Sequence, residues 1–297
     1  MERLPNFLII GAQKAGTTSL YSYLNQHPQI YMSPVKEPNY FAYDERLDSG
    51  GQIRPRAAKI VSTLEDYEAL FNGIHDETAW GEASPSYLYS ARAPFRIHEL
   101  IPDARMIAIL RDPVERAFSN FVHTVRGGRE PLRDFNEAIA AEDERIRQGW
   151  GPLFHYKHKG LYFQQLSRYL RIFDRSQFCI FLFDDLRRDP QGLAITALRF
   201  LEVDDQFRLD VSEKHNVSGL PKNNLSGRAY AALRRNDLFV ALGKKVIPYG
   251  VRRLARSSVS EAPELPLETR KSLIEEFRDD ILRLQELIGR DLTAWLE

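Results

Sequence analysis

The sequence predicts an α/β chain, a parallel β-sheet flanked by helices, on three observations. Apolar strand-like runs at residues 7–10, 105–110 and 177–183 each lead through a short loop into a segment of helical periodicity, the pattern of βα units around a parallel sheet. The loop after the first run, Gly11-Ala12-Gln13-Lys14-Ala15-Gly16-Thr17-Thr18-Ser19, is bracketed by glycines and opens onto the helix-compatible segment Leu20-Tyr21-Ser22-Tyr23-Leu24. The second run ends at Arg111-Asp112-Pro113-Val114-Glu115, where Asp112 suits an N-cap, Pro113 the first helical turn and Glu115 the far end of a capping box.

The remaining elements follow in chain order. Trp80-Gly81-Glu82 reads as a short fourth strand. Helices are expected over residues 17–25, 94–100, 113–125, 132–147, 161–173 and 190–201. Residues 43–62 read as an irregular insertion and 209–228 as a polar loop. The chain turns helical again from Ala229 and is broken over 256–266. In the last segment, 267–288, apolar residues recur at Leu273, Ile274, Phe277, Ile281, Leu284 and Ile288, the stripe of an amphipathic helix closing on a core. The expectation is one domain over 1–297, with a core at about 5–205 and a helical C-terminal part at about 229–297.

At 297 residues the chain can bury a substantial core, and its 41 Lys+Arg balance 41 Asp+Glu. No global charge favours nucleic acid or a membrane surface, so an anion site must be local. The single Cys179 excludes an internal disulfide framework and a Cys-based zinc site, and its apolar run points to a buried thiol. The first strand starts within a few residues of Met1, and no apolar run reaches the roughly 18–20 residues that span a bilayer. A cytoplasmic chain is expected.

The Gly-bracketed loop has the chemistry of a phosphate cradle. Glycines let the backbone approach an anion, and the helix N-terminus offers unpaired N–H groups and a positive dipole end. It is not a Walker A loop, because Thr17 stands where that motif needs Lys and the loop's lysine lies earlier, at Lys14. The second boundary offers a guanidinium, Arg111, at the carboxyl edge of the sheet, with Ser119 two turns on. On these residues alone, Arg111 could equally pair with Asp112 or Glu115, and Ser119 could be a small helix residue.

Together the two motifs resemble those of sulfotransferases that use 3′-phosphoadenosine 5′-phosphosulfate (PAPS). The resemblance extends through His27-Pro28, Glu37-Pro38-Asn39-Tyr40-Phe41, Glu82-Ala83-Ser84-Pro85-Ser86-Tyr87 and Gly160-Leu161-Tyr162, in the order seen in Golgi heparan sulfate N- and 3-O-sulfotransferases and their bacterial relatives. It covers roughly residues 5–205, and the end of the chain, Ile288 to Trp295, also looks like that of bacterial members. The resemblance implies a P-loop-like sheet, PAPS as donor with PAP (3′-phosphoadenosine 5′-phosphate) as product, no required metal, and a carbohydrate or small-metabolite acceptor sulfated on a hydroxyl or amine. Lys14 would contact the sulfuryl-bearing end, with Ala15, Gly16, Thr17, Thr18 and Ser19 around the 5′-phosphate. Arg111 and Ser119 would hold the 3′-phosphate, and Glu37 would be the base. Lys36, Asn39 and Tyr87 would face the acceptor, and Lys214 and Lys222 would belong to a basic loop, 214–224, over the nucleotide. Two departures bear on the acceptor: Asn39 stands where the family often has His, and Ala83 where many heparan enzymes have Lys.

Sulfuryl transfer needs a cation at the leaving group and a base at the nucleophile, roles that Lys14 and Glu37 suit. Tyr40, Tyr43, Tyr87, His155, Tyr156 and His158 are candidate walls of an acceptor cleft. Two other readings stay open, a P-loop nucleotide kinase and a non-catalytic PAP- or PAPS-binding protein. The sequence does not disclose the oligomeric state.

Overall fold

The computed structural model describes residues 4–43, 61–212, 220–221, 260–261 and 264–297. Five strands, β1 (Phe7–Gly11), β2 (Ile30–Met32), β3 (Ala79–Ala83), β4 (Arg105–Leu110) and β5 (Phe178–Leu182), form a wholly parallel sheet in the order β2-β3-β1-β4-β5. β1 is central, with Phe7 opposite both Gly81 and Arg105. Every residue of β1 is buried, as expected of a strand covered by helices on both faces, and this is why its sequence is continuously apolar rather than alternating. Because β3 and β4 flank β1, the loops leaving these three strands emerge side by side at one edge of the sheet. That edge is where open parallel sheets bind ligands.

The helices account for the crossovers. α1 (Thr17–Leu24) follows β1, while α2 (Leu64–Glu68) precedes β3. α3 (Ser86–Tyr89) and α4 (Ala93–Leu100) follow β3, and α5 (Pro113–Arg126) follows β4. Asp112 caps α5 by accepting from the N–H groups of Val114 (2.8 Å) and Glu115 (3.2 Å). The capping box expected there does not close, because the Glu115 carboxylate turns to Arg111 (3.0 Å) and Arg270 (3.6 Å).

The single helix expected over 132–147 is two, α6 (Phe135–Ala140) and α7 (Glu142–Arg147). Asp134 caps the first. Glu142, fully buried, accepts from the N–H groups of Lys157 (2.6 Å) and His158 (2.9 Å), which fixes α7 to the following loop. α8 (Tyr162–Leu170), α9 (Phe183–Arg188) and α10 (Pro190–Phe200) complete the layers around β5. Phe183, expected to end a strand, is instead the first residue of α9.

α11 (Leu267–Ile288) has the expected bounds, and its apolar stripe is buried. It docks on α8 through Asp280, which accepts from the Phe163 N–H (2.9 Å), and on α5 through Arg270, which donates to Asp112 (3.1 Å). The expected polar loop over 209–228 contains a two-residue strand, β6 (Leu220–Pro221), antiparallel to β7 (Ser260–Glu261). The expected helix after Ala229, and Lys214 and Lys222 of the 214–224 loop, lie outside the described residues. Cys179 is only partly covered in β5, and desolvation raises its thiol to about 12, so it is not nucleophilic near neutral pH.

Candidate active site

Gly16 shapes the loop after β1. It has φ +96°, and a Cβ there would meet Leu186 at 2.4 Å, so both the left-handed turn and the approach of α9 require glycine. From this turn α1 starts with no side-chain cap and no acidic residue in its first turn. Its N-terminal dipole and donors are therefore not neutralised locally, a fitting seat for an anion. Thr17 and Ser19 are buried. Thr18 accepts a 2.9 Å hydrogen bond from the Lys36 ammonium.

Lys14 lies in the same loop with φ 73°. Burial, reinforced by the positive charges of Arg126, Arg111 and Arg116, lowers its pKa to about 8, while the Glu37 carboxylate pulls the other way. An ammonium so surrounded is held at a cost that a bound anion would relieve.

The loop after β4 meets the first. Arg111 donates from Nη1 to the Lys14 carbonyl (3.3 Å) and from Nη2 to Glu115 (3.0 Å), and its guanidinium lies 4.8 Å from the Phe183 ring centroid. The pairing with Glu115 that the sequence left open is therefore present, together with a contact to the phosphate-type loop that the sequence could not show. Ser119 is buried on α5.

The third loop carries Lys36 and Glu37. The Lys36 ammonium bridges Thr18 and the Glu37 carboxylate, 2.9 Å from each. Glu37 has φ 59° and Asn39 φ 57°. Of the four non-glycine residues with positive φ among the described residues, three, Lys14, Glu37 and Asn39, belong to these loops, a clustering of backbone strain seen at functional sites. The strain is held by β3 and its turn. Glu37 N–H donates to the Ala83 carbonyl (3.1 Å), Asn39 N–H donates to Ser84 Oγ (3.0 Å), and Ser84 Oγ donates to Glu82 (2.8 Å). Glu82 is fully buried and also accepts from Tyr67 (3.3 Å). Burial raises its carboxyl to about 7.

Two residues of the expected acceptor-facing set are engaged within the protein. Tyr87 is fully buried, with its hydroxyl accepting from the Phe41 N–H (3.4 Å), and has no surface to offer an acceptor. Asn39 uses both ends of its amide, donating to the Glu37 carbonyl (2.6 Å) and accepting from Ser86 (2.5 Å), so it braces the loop that presents Glu37. Among the candidate cleft walls, Tyr156 is buried and donates to Glu130 (2.6 Å). Tyr40 stacks on Tyr67 at 4.4 Å. His155 has both ring nitrogens engaged, by the Tyr89 hydroxyl (2.7 Å) and the Trp150 carbonyl (2.9 Å), and burial lowers it to about 4.

Three charged residues near these loops had no place in the sequence reading of the site: Glu82, Arg116 and Lys159. Arg116 is the second arginine of the R-D-P-x-x-R-x-x-S spacing from Arg111 to Ser119, and Lys159 immediately precedes the Gly160-Leu161-Tyr162 motif. Those neighbours were the only sequence signal. Arg116 is fully buried, with Nη2 donating to the Tyr156 carbonyl and with Nε and Nη1 lacking a hydrogen-bond partner among the described residues.

Comparison with known proteins bears on the fold and the family. A sulfotransferase crystal structure from Alicyclobacillus acidocaldarius superposes with a TM-score of 0.77 at 34% identity, covering 99% of this chain and 100% of that one. Mouse heparan sulfate glucosamine 3-O-sulfotransferase 6 is 32% identical over 193 residues, 64% of this chain and 50% of its own length. Mouse bifunctional heparan sulfate N-deacetylase/N-sulfotransferase 4 is 28% identical over 99% of this chain and 31% of its own length. The chain thus spans half of the first mouse enzyme and about a third of the second. The profile of the sulfotransferase family matches residues 5–206. A match of that extent, joined to near-complete overlap with the bacterial structure, makes this chain a member of the sulfotransferase family.

Proposed function

We propose that the chain moves the sulfuryl group of PAPS to a hydroxyl or amine of a carbohydrate or small-metabolite acceptor, by in-line displacement at sulfur. The observation that carries this reading is the Arg111–Lys14 contact, 3.3 Å from guanidinium to backbone carbonyl. It joins the two cationic loops at one edge of the sheet, which supports a ligand with two separate anionic groups. The uncapped α1 terminus, the Gly16 turn and the depressed Lys14 support an anion in the first loop. PAPS, when bound, supplies an activated sulfuryl group on a phosphate leaving group.

In this reading Ala15, Gly16, Thr17, Thr18 and Ser19 surround the 5′-phosphate, and Lys14 neutralises charge where the phosphosulfate bond breaks. Arg111 and Ser119 hold the 3′-phosphate, with Lys214 and Lys222 as candidates to cover it. Glu37 accepts the acceptor's proton as the new bond to sulfur forms, since a carboxylate is too weak a base to remove it beforehand. Lys36 and the Asn39 brace aim that carboxylate. The names of the mouse relatives favour a carbohydrate acceptor, and the docking of α11 on α5 and α8 supports a single functional domain over the chain.

Titration calorimetry tests the donor: PAP is expected to bind far more tightly than ADP or Mg-ATP. Equal affinity for PAP and ADP would remove the 3′-phosphate site from the proposal.

A further inference from the structure

Below the loop after β1 lies a small pocket lined by Ala12, Gln13, Pro85, Tyr89, Arg116 and Lys159, among others. Lys159 is buried, donates to Gln13 Oε1 (2.7 Å) and has its ammonium 5.7 Å from the Tyr89 ring centroid. It makes no ion pair among the described residues. A buried ammonium without a carboxylate in contact is costly, and here Arg116, itself buried with two guanidinium nitrogens that have no partner among the described residues, lines the same pocket. Burial first, and then the charge of Arg116, lower Lys159 to about 7, with Glu142 and Glu37 opposing.

The pocket's walls say what it serves. Ala12 and Gln13 are the two residues before Lys14, and Pro85 lies in the turn between Ser84 and Ser86, which brace the Glu37 loop. The pocket therefore shares its walls with the loop that carries Lys14 and with the turn that braces the Glu37 loop. Its own charge is positive and incompletely paired, so an oxyanion entering it would gain hydrogen bonds that the protein leaves unmade.

We propose that Lys159 is a further catalytic residue, whose ammonium hydrogen-bonds a non-bridging oxygen of the transferring sulfuryl group from the pocket between Gln13 and Arg116. This rests on the PAPS-dependent reading above and deepens it. Lys159 keeps its proton throughout: the bond from sulfur to the phosphate oxygen breaks with its electron pair leaving on phosphate, the acceptor atom bonds sulfur, and the acceptor's proton goes to Glu37. Lys14 then answers the charge on the departing phosphate, and Lys159 the charge on the sulfuryl oxygens in flight.

The test needs no acceptor. Calorimetry at pH 6.5 would compare PAP, which lacks the sulfuryl group, with PAPS, on the full chain and on Lys159→Met and Lys159→Arg. Lys159→Met is expected to leave PAP affinity within about twofold and to weaken PAPS on the order of tenfold or more, and Lys159→Arg to recover most of that loss. If Lys159→Met does not melt cooperatively, Lys159→Gln, whose amide can still donate to Gln13, makes the same comparison. Equal losses for PAP and PAPS, or no loss for either, would overturn the role of Lys159. A wild-type chain that binds neither nucleotide would instead overturn the PAPS reading on which it rests.

Discussion

Arg111→Lys is the most discriminating substitution the structure offers. The Arg111 guanidinium is already held by the Lys14 carbonyl, Glu115 and the Phe183 ring, and its side chain is only 21% exposed. It is thus presented to the loop edge before any ligand arrives. Lysine keeps the charge but not the planar fork, and cannot span the same partners. Loss of a charge-assisted contact costs about 1.5–3 kcal/mol, which at about 1.4 kcal/mol per decade weakens PAP by about 10- to 150-fold. ADP, without a 3′-phosphate, should change by no more than about twofold. Glu115→Gln is the mirror experiment. Glu115 is 42% exposed and, in the proposed complex, would compete with the 3′-phosphate for Arg111. A solvent-exposed pair contributes about 0.2–1 kcal/mol, so removing this one should tighten PAP by up to about fivefold. Calorimetric titrations of both nucleotides on both variants give the four affinities. If Arg111→Lys weakens PAP and ADP alike, or neither, then Arg111 does not read the 3′ position and the two-phosphate argument falls.

Three other expectations follow from the site. Glu37→Gln keeps the shape of the strained loop but cannot take a proton, so kcat on the true acceptor should fall roughly 10²–10⁴-fold while PAP affinity stays level; near-normal turnover would exclude Glu37 as the base. Lys14→Ala should lower kcat/KM more than PAP affinity, because PAP lacks the transferring group. If Lys159 and Lys14 both act as cations, with pKa values of about 7 and about 8, a pH–rate profile in kcat/KM should fall as pH rises through 7 to 8, and in Lys159→Arg the limb that begins near 7 should move upward. Glu82 links stability to pH. Its native carboxyl, raised to about 7, binds a proton that the unfolded chain has released above about pH 4.5. Through Glu82 the native state holds more protons across that window, so this residue's own contribution to urea stability falls as pH rises from about 4.5 to 7, against the opposite slope of His155, which burial lowers to about 4. Urea stability of Glu82→Gln should therefore rise more steeply with pH than that of the wild type between about 4.5 and 7, and an unchanged pH dependence would place the titrating group elsewhere.

Much of this protein was legible in one dimension because its signals are local. The strand Arg105–Leu110 and the helix Leu267–Ile288 were bounded correctly by apolar runs and periodicity, and the turn at Gly16 by a residue type that few alternatives can replace. Short elements escaped. Ile30–Met32 and Ser86–Tyr89 are too brief to show a period, and they exist because the flanking sheet and core stabilise them.

The sequence by itself determined the parallel α/β class, the two phosphate-type loops, and Lys14, Arg111 and Glu37 as chemically apt residues, since each follows from residue type within a few positions. Only the tertiary structure decided which of them meet. Strand order places β1 between β3 and β4, so loops about a hundred residues apart in sequence share one edge, and Arg111 reaches Lys14. Burial, which depends on what the rest of the chain packs against a position, moved Tyr87 into the core and put Lys159 and Arg116 beneath the loop. Desolvation and neighbouring charge exist only once these distant segments are together, and no spacing along the chain encodes them.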